Sequence, residues 1–222
     1  MKIKGAIFDM DGTLVDSLSF WDDLWGRIGE RYLGVKSFKP SEEVDKSVRT
    51  MIFSQAMRYV KEVCEIDASA EEITEFGTSS LADFYRDVVG LKDGARELLD
   101  ALASKGIKMC LATATDMKYV NIALDKLDLR KYFAAVMSCA DIGKGKDQPD
   151  IYLGAADALG YEREDICVFE DSYVALETAK SIGLKTIGIF DKNNFGQDRL
   201  EKASDVYLGE NRSLAELISV IE

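Results

Sequence analysis

Histidine is absent from all 222 residues. Its absence removes serine–histidine–aspartate hydrolysis, cysteine–histidine proteolysis, imidazole-bound zinc and phosphohistidine chemistry. Acid–base work must then fall to carboxylates, lysine, tyrosine or cysteine. A metal would be held by oxygen ligands, which favours magnesium. Positive charge is also scarce: 28 Lys and Arg stand against 40 Asp and Glu, a net charge of -12. Such a chain repels nucleic acid and anionic membrane surfaces, and no run of basic residues supplies a local exception. The cysteines number four. Cys64, Cys110, Cys139 and Cys167 lie far apart without a C-x-x-C pair, three of them in apolar runs, so they read as reduced packing residues. No apolar run reaches membrane-spanning length, and MKIKGAIF carries neither a long apolar segment nor a small-residue cleavage site. A cytoplasmic protein, monomeric or weakly dimeric, is the expectation.

What the chain does contain is enough hydrophobic residue, 47%, for a substantial interior without staples. Its focal stretch is IKGAIFDMDGTLVDS, Ile3–Ser17. Ile3, Ala6, Ile7 and Phe8 have the length and branching of a buried strand, after which Asp9 and Asp11 follow one residue apart. Two like charges so close to an apolar strand end repel and lose solvation, so a cation or a proton between them is required. Gly12 permits unusual backbone angles and brings N–H groups near an anion. The plainer reading is a strand and a solvated acidic turn.

Residues 17–90 have apolar residues at helical spacing in three stretches. The first is Ser17–Leu33, with Ser17 as its cap; the second starts at Ser41 and places Val44, Val48, Met51, Ile52, Gln55, Tyr59 and Val63 on one stripe; the third covers about 70–89. This segment holds 14 acidic and 9 basic residues, so it is no cationic arm. From Leu91 the texture alternates. Strands are predicted at 107–113, 134–138, 166–169 and 186–190, with helices at 93–105, 116–127, 149–159 and 173–182, and a last strand and helix over 205–220. This alternation predicts a doubly wound parallel α/β sheet covered on both faces, with ligands at the carboxyl ends of its strands. The expected division is an α/β core of 1–16 and 91–222 with an all-helical insertion of 17–90.

Three further strand ends carry polar residues. Thr113, Ala114 and Thr115 offer a hydroxyl and an N–H at a helix start, a ready phosphate contact; either threonine could equally cap the helix from Asp116. Lys144 and Lys146 lie in the loop DIGKGKDQPD, where lysines are usually solvated. The strand ICVFE runs into Glu170 and Asp171, two acids where a cap requires one.

Read together, FDMDGTLVDS, the Thr113 strand end, KDQPDIY and the acidic pair Glu170–Asp171 resemble the four motifs of the haloacid dehalogenase superfamily, in its order and spacing. The resemblance implies that Asp9 attacks phosphorus and Asp11 is the general acid and base. Thr113 is the second-motif hydroxyl, and Lys146, with Lys144 as fallback, neutralises Asp9 and the phosphoryl group. Glu170 and Asp171, with Asp9 and the carbonyl of Asp11, hold Mg²⁺; Gly12, Thr113, Ala114 and Lys146 are the phosphate contacts. Asp147 replaces the usual first proline of the third motif. Residues 17–90 match the family's helical cap, where Trp21, Trp25, Tyr59 and Arg49 are candidate substrate contacts, set against core packing for the aromatics and an ion pair with Asp45 for Arg49. Asp11 argues against a dehalogenase. Lys36, Lys39 and Lys46 lack the context of an imine-forming cap lysine. The implied activity is hydrolysis of a small phosphorylated metabolite, such as a sugar phosphate. The enzymatic alternative is a beta-phosphoglucomutase-type mutase, whose relatives use a histidine in the first cap helix, near Trp21 here. The non-enzymatic alternative is a phosphate-accepting signalling receiver.

Overall fold

The structure, a computed structural model, describes residues 1–51 and 53–222. Ile52 of the second helical stripe lies outside the described residues, as do the side chains of Lys46 and Thr50. The chain forms two compact units, one of Met1–Leu18 with Val89–Glu222 and one of Ser19–Val88.

The first unit opens with β1 (Gly5–Phe8), buried at every position. The second unit holds α1 (Phe20–Ile28), α2 (Glu42–Thr50), α3 (Phe53–Val63) and α4 (Ala70–Asp83), with π-turns over Gly29–Leu33 and Phe84–Val88. Two differences from the sequence pattern stand out here. Ser17 does not cap α1, which begins three residues later behind Ser19 and has no side-chain cap. The long second stripe is two helices, because Met51 turns extended (φ -88, ψ 157) and ends α2. Phe20, Trp21, Phe53 and Phe84 cluster within this unit, with ring centroids 5.4–6.1 Å apart. Trp25 donates to Asp45 Oδ1 at 2.7 Å, and Arg49 Nε donates to Asp45 Oδ2 at 2.9 Å.

The first unit resumes with α5 (Ala95–Ser104), β2 (Lys108–Thr113), α6 (Met117–Lys126), β3 (Phe133–Ser138), α7 (Cys139–Ile142) and α8 (Asp150–Leu159). It continues through β4 (Ile166–Glu170), α9 (Tyr173–Ser181), β5 (Lys185–Ile189), α10 (Gln197–Ala203) and β6 (Val206–Leu208), and ends in a 3-10 turn, Leu214–Ser219. The sheet order is β3-β2-β1-β4-β5-β6, every pair parallel. Near-continuous apolar strands follow from burial on both faces. On one face Ile7, Val168 and Cys110 pack with Ala155, Leu159 and Leu176 of α8 and α9. Phe8 stacks on Phe169 with centroids 4.2 Å apart. All four cysteines are free, three of them buried. Among the described residues no helix is long and apolar enough to cross a membrane. Strand order reverses between β1 and β4, and the carboxyl ends of that pair frame the crevice where such sheets bind ligands.

Candidate active site

Asp9 leaves β1 with its N–H still paired to Phe169 O at 3.0 Å, so the sheet register carries it to the level of the end of β4. Glu170 is the last residue of β4 and Asp171 the next. One carboxylate oxygen from each of Asp9, Glu170 and Asp171 lies within 4.8 Å of the others, and all three residues are buried. Lys146, from the loop after α7, donates to Asp9 Oδ1 and to Glu170 Oε1, the latter at 2.8 Å. The other oxygen of Glu170 accepts the N–H of Asp171 at 2.9 Å and that of Ser172 at 3.4 Å. Lys144 instead pairs with Asp150 at 2.7 Å on the exposed surface.

Burial and the neighbouring Glu170 push Asp9 up to about 8 although Lys146 pulls it down. Burial, Glu170 and Asp9 hold Asp171 well above the usual carboxylate range. Burial disfavours the charged form of Lys146, but Asp9 and Glu170 outweigh it and hold the ammonium well above the ordinary lysine value. With all three carboxylates ionised, the single ammonium would leave two negative charges, which protons hold off in the metal-free site and a divalent cation would balance. It would also reverse the upward shifts by favouring the charged carboxylates. An oxygen-only donor set of this kind fits magnesium.

Around this cluster the first motif is tightly wound. Gly12 has φ +80, and a Cβ there would lie 2.3 Å from Asp171 Oδ2. Its N–H donates to Val15 O at 3.0 Å. Thr13 Oγ1 donates to Asp171 Oδ1 at 3.1 Å. Asp11 accepts Ser17 Oγ on Oδ1 and Thr115 Oγ1 on Oδ2, both at 2.7 Å. Neither hydroxyl is therefore the helix cap that its position suggests. Asp116, the residue before α6, makes no side-chain cap either. Thr113, fully buried at the end of β2, accepts the Thr115 N–H at 3.1 Å. Ala114 beside it is exposed.

Residues outside the motifs complete the surroundings. Asn194, between β5 and α10, donates to Asp171 Oδ2 at 2.7 Å. Lys92 pairs with the buried Asp191 at 2.8 Å. The Tyr152 hydroxyl is buried without a hydrogen-bond partner among the described residues; burial raises it far above the ordinary tyrosine value, and Glu170 adds to this against the opposing pull of Lys146. Periodicity gives no sign of Asn194, because its loop follows a strand with no acid pair or glycine pattern to mark it.

Fold and site together place three buried carboxylates and one lysine at the topological switch point of a parallel α/β sheet. The chain belongs to the haloacid dehalogenase-like hydrolase family, whose sequence model matches residues 3–183. It is 31% identical over 201 residues to a phosphorylated carbohydrates phosphatase of Thermotoga maritima, covering 90% of this chain and 91% of that protein. It is 26% identical over 186 residues to hexitol phosphatase B of Escherichia coli K12, covering 84% and 83%. A crystal structure from Thermotoga maritima, provisionally named a beta-phosphoglucomutase, matches at a TM-score of 0.83 and 28% identity over 98% of both chains.

Proposed function

We propose that this hydrolase is a magnesium-dependent phosphatase of small phosphomonoesters, of the phosphorylated-sugar type, working through an aspartyl phosphate on Asp9. The observation that carries the reading is the meeting of Asp9, Lys146, Glu170 and Asp171 at the carboxyl ends of β1 and β4. The relative named for phosphorylated carbohydrates supports the substrate class.

A carboxylate oxygen of Asp9 forms the new bond to phosphorus as the ester oxygen departs, and Asp11 gives that oxygen its proton. Water then attacks phosphorus, loses a proton to Asp11 and breaks the bond to Asp9, releasing inorganic phosphate. Ser17 and Thr115 each donate to one Asp11 oxygen and fix the orientation of the carboxyl group that carries the proton. Thr113 retains its own hydroxyl hydrogen for a phosphate oxygen, and the backbone at Ala114 lies beside it. Lys146 offsets charge on Asp9 and on the transferring group. Asp9, Glu170, Asp171 and the Asp11 carbonyl would hold magnesium, which supplies charge compensation for the phosphoryl oxygens.

Residues 17–90 are assigned as the substrate-selecting cap. Trp21, Trp25, Tyr59 and Arg49 are its candidate contacts, although Asp45 already engages Trp25 and Arg49.

With magnesium and a panel of sugar, hexitol and glycolate phosphates, the wild-type protein is expected to release phosphate, and folded Asp9→Asn to release none. Ordinary turnover by that variant would refute the assignment. A mutase remains the second reading because of the Thermotoga structure, but the sequence has no histidine to serve in it. Hexose 1-phosphate separates the two, since a mutase accumulates the 6-phosphate and a phosphatase accumulates inorganic phosphate. Membership of a hydrolase family stands against the signalling-receiver alternative.

A further inference from the structure

We infer that Asn194 is a positioning residue for Asp171, holding that carboxylate in the orientation that receives a divalent cation, and that the Lys92–Asp191 ion pair anchors the loop that presents it. The inference rests on the metal-site reading given above.

Both oxygens of Asp171 are engaged from opposite sides. Thr13 donates to Oδ1 at 3.1 Å, and Asn194 Nδ2 donates to Oδ2 at 2.7 Å and to the Asp171 carbonyl at 3.2 Å. The orientation of the amide is fixed by its neighbours. Its nitrogen faces two acceptors, while its Oδ1 accepts the Phe195 N–H at 2.8 Å, so exchanging nitrogen and oxygen would lose all three bonds. Rotation of the Asp171 carboxylate is thereby stopped at both ends. Without such a stop, once the three carboxylates are ionised to receive a cation, repulsion from Asp9 and Glu170 would turn it away from the position they share.

The loop carrying Asn194 is itself tied down. Asn194 N–H donates to Asp191 O at 3.1 Å, and Asp191 Oδ1 accepts the Asn193 N–H at 2.8 Å. Lys92 Nζ reaches Asp191 Oδ2 at 2.8 Å and Phe190 O at 3.0 Å, while the Lys92 backbone N–H donates to Leu14 O at 2.9 Å. Leu14 belongs to the same turn as Asp9, Asp11 and Gly12. One lysine thus joins the loop after β5 to the first motif, and Asp191 is only 4% exposed. Groups that orient a metal ligand commonly alter metal affinity by about 10–100-fold when removed.

The test is calorimetric titration of the metal-free 222-residue chain with magnesium chloride, beside thermal melts without metal. Wild type is expected to bind, Asp171→Ala to lose binding, and Asn194→Ala to bind about 10-fold more weakly or worse. The magnesium concentration for half-maximal phosphate release should rise in parallel. If Asn194→Ala melts earlier but binds magnesium as wild type does, while Asp171→Ala does not bind, the inference is overturned and the metal site stands. If Asp171→Ala binds as wild type does, the metal-site reading itself fails. Should Asn194→Ala not fold, Lys92→Met decides: a dissociation constant at least about threefold weaker supports the inference, and an unchanged one overturns it.

Discussion

Lys146 reaches from the loop after α7 to the end of β4, where its ammonium donates to Glu170 Oε1 at 2.8 Å while also engaging Asp9. It is the buried cation of the two carboxylates it contacts. Its side chain and those of Asp9 and Glu170 are at most one tenth exposed, so the attraction is little screened by solvent.

Lys146→Met should therefore damage both stability and chemistry. Removing one partner of a buried pair costs about 3–5 kcal/mol, and denaturant unfolding of the metal-free variant is expected to show a loss of that order. Phosphate release should fall at least about 100-fold, as when a charge-stabilising donor is lost. A variant as stable and active as wild type would separate Lys146 from the site.

Stability of the metal-free protein should fall as pH rises from about 4 to 8. Asp9 is held up to about 8 in the folded state, chiefly by burial and by Glu170, against 3.8 as its ordinary value. Within that window the folded chain binds the proton more tightly than the unfolded one, so raising pH favours unfolding. Asp171 acts in the same direction, while Lys146, raised instead, keeps its charge throughout. Magnesium binds the deprotonated carboxylates, so the rise in Tm on adding it should grow with pH. Melts at several pH values, with chelator or with magnesium, would expose a flat metal-free profile if the cluster were not coupled in this way.

Ser17 and Thr115 share one acceptor group, the carboxylate of Asp11. A hydrogen bond to a charged group contributes about 1.5–3 kcal/mol, and Ser17→Ala and Thr115→Val are each expected to lose an amount in or just below that range. Because each hydroxyl fixes the rotamer that the other uses, the double variant should lose less than the sum. Denaturant melts of all four proteins give the coupling, and additivity within about 0.3 kcal/mol would show that the two bonds act independently.

Tyr152→Phe removes a buried hydroxyl that has no partner among the described residues. An unsatisfied buried polar group costs about 1–3 kcal/mol, so the phenylalanine variant should be at least as stable as wild type, with a Tm equal or higher. A clear drop in Tm would mean that the hydroxyl makes a bond in solution, with a bound water or with the cluster beside it.

The elements most legible in the sequence are those whose environment is uniform. β1, β2, β4 and β5 are short apolar runs because both faces of a parallel strand are buried, and the acids at the ends of β1 and β4 and the threonines at the end of β2 stand out against that background. α10 was not legible: it has seven residues and buries only Leu200, so it carries almost no periodic signal. The break at Met51 left no mark because the apolar stripe runs through it. Charge and loop composition do not separate Lys144 from Lys146, two residues apart among glycines; only the match of KDQPDIY to the third motif favoured Lys146. One meets Asp150 on the surface and the other enters the crevice, a difference set by the path of the loop.

The sequence alone determined the alternation of strands and helices and which strand ends carry acids, because burial dictates hydrophobic period and a charge at an apolar terminus is conspicuous. It also excluded histidine chemistry outright. Only the tertiary structure decided that Asn194 and Thr13 grip Asp171, that Ser17 and Thr115 hold Asp11, and that Lys92 ties the loop after β5 to the first motif. Those contacts join residues up to 158 positions apart, and such pairings depend on strand order and loop path, which no local pattern of residues encodes.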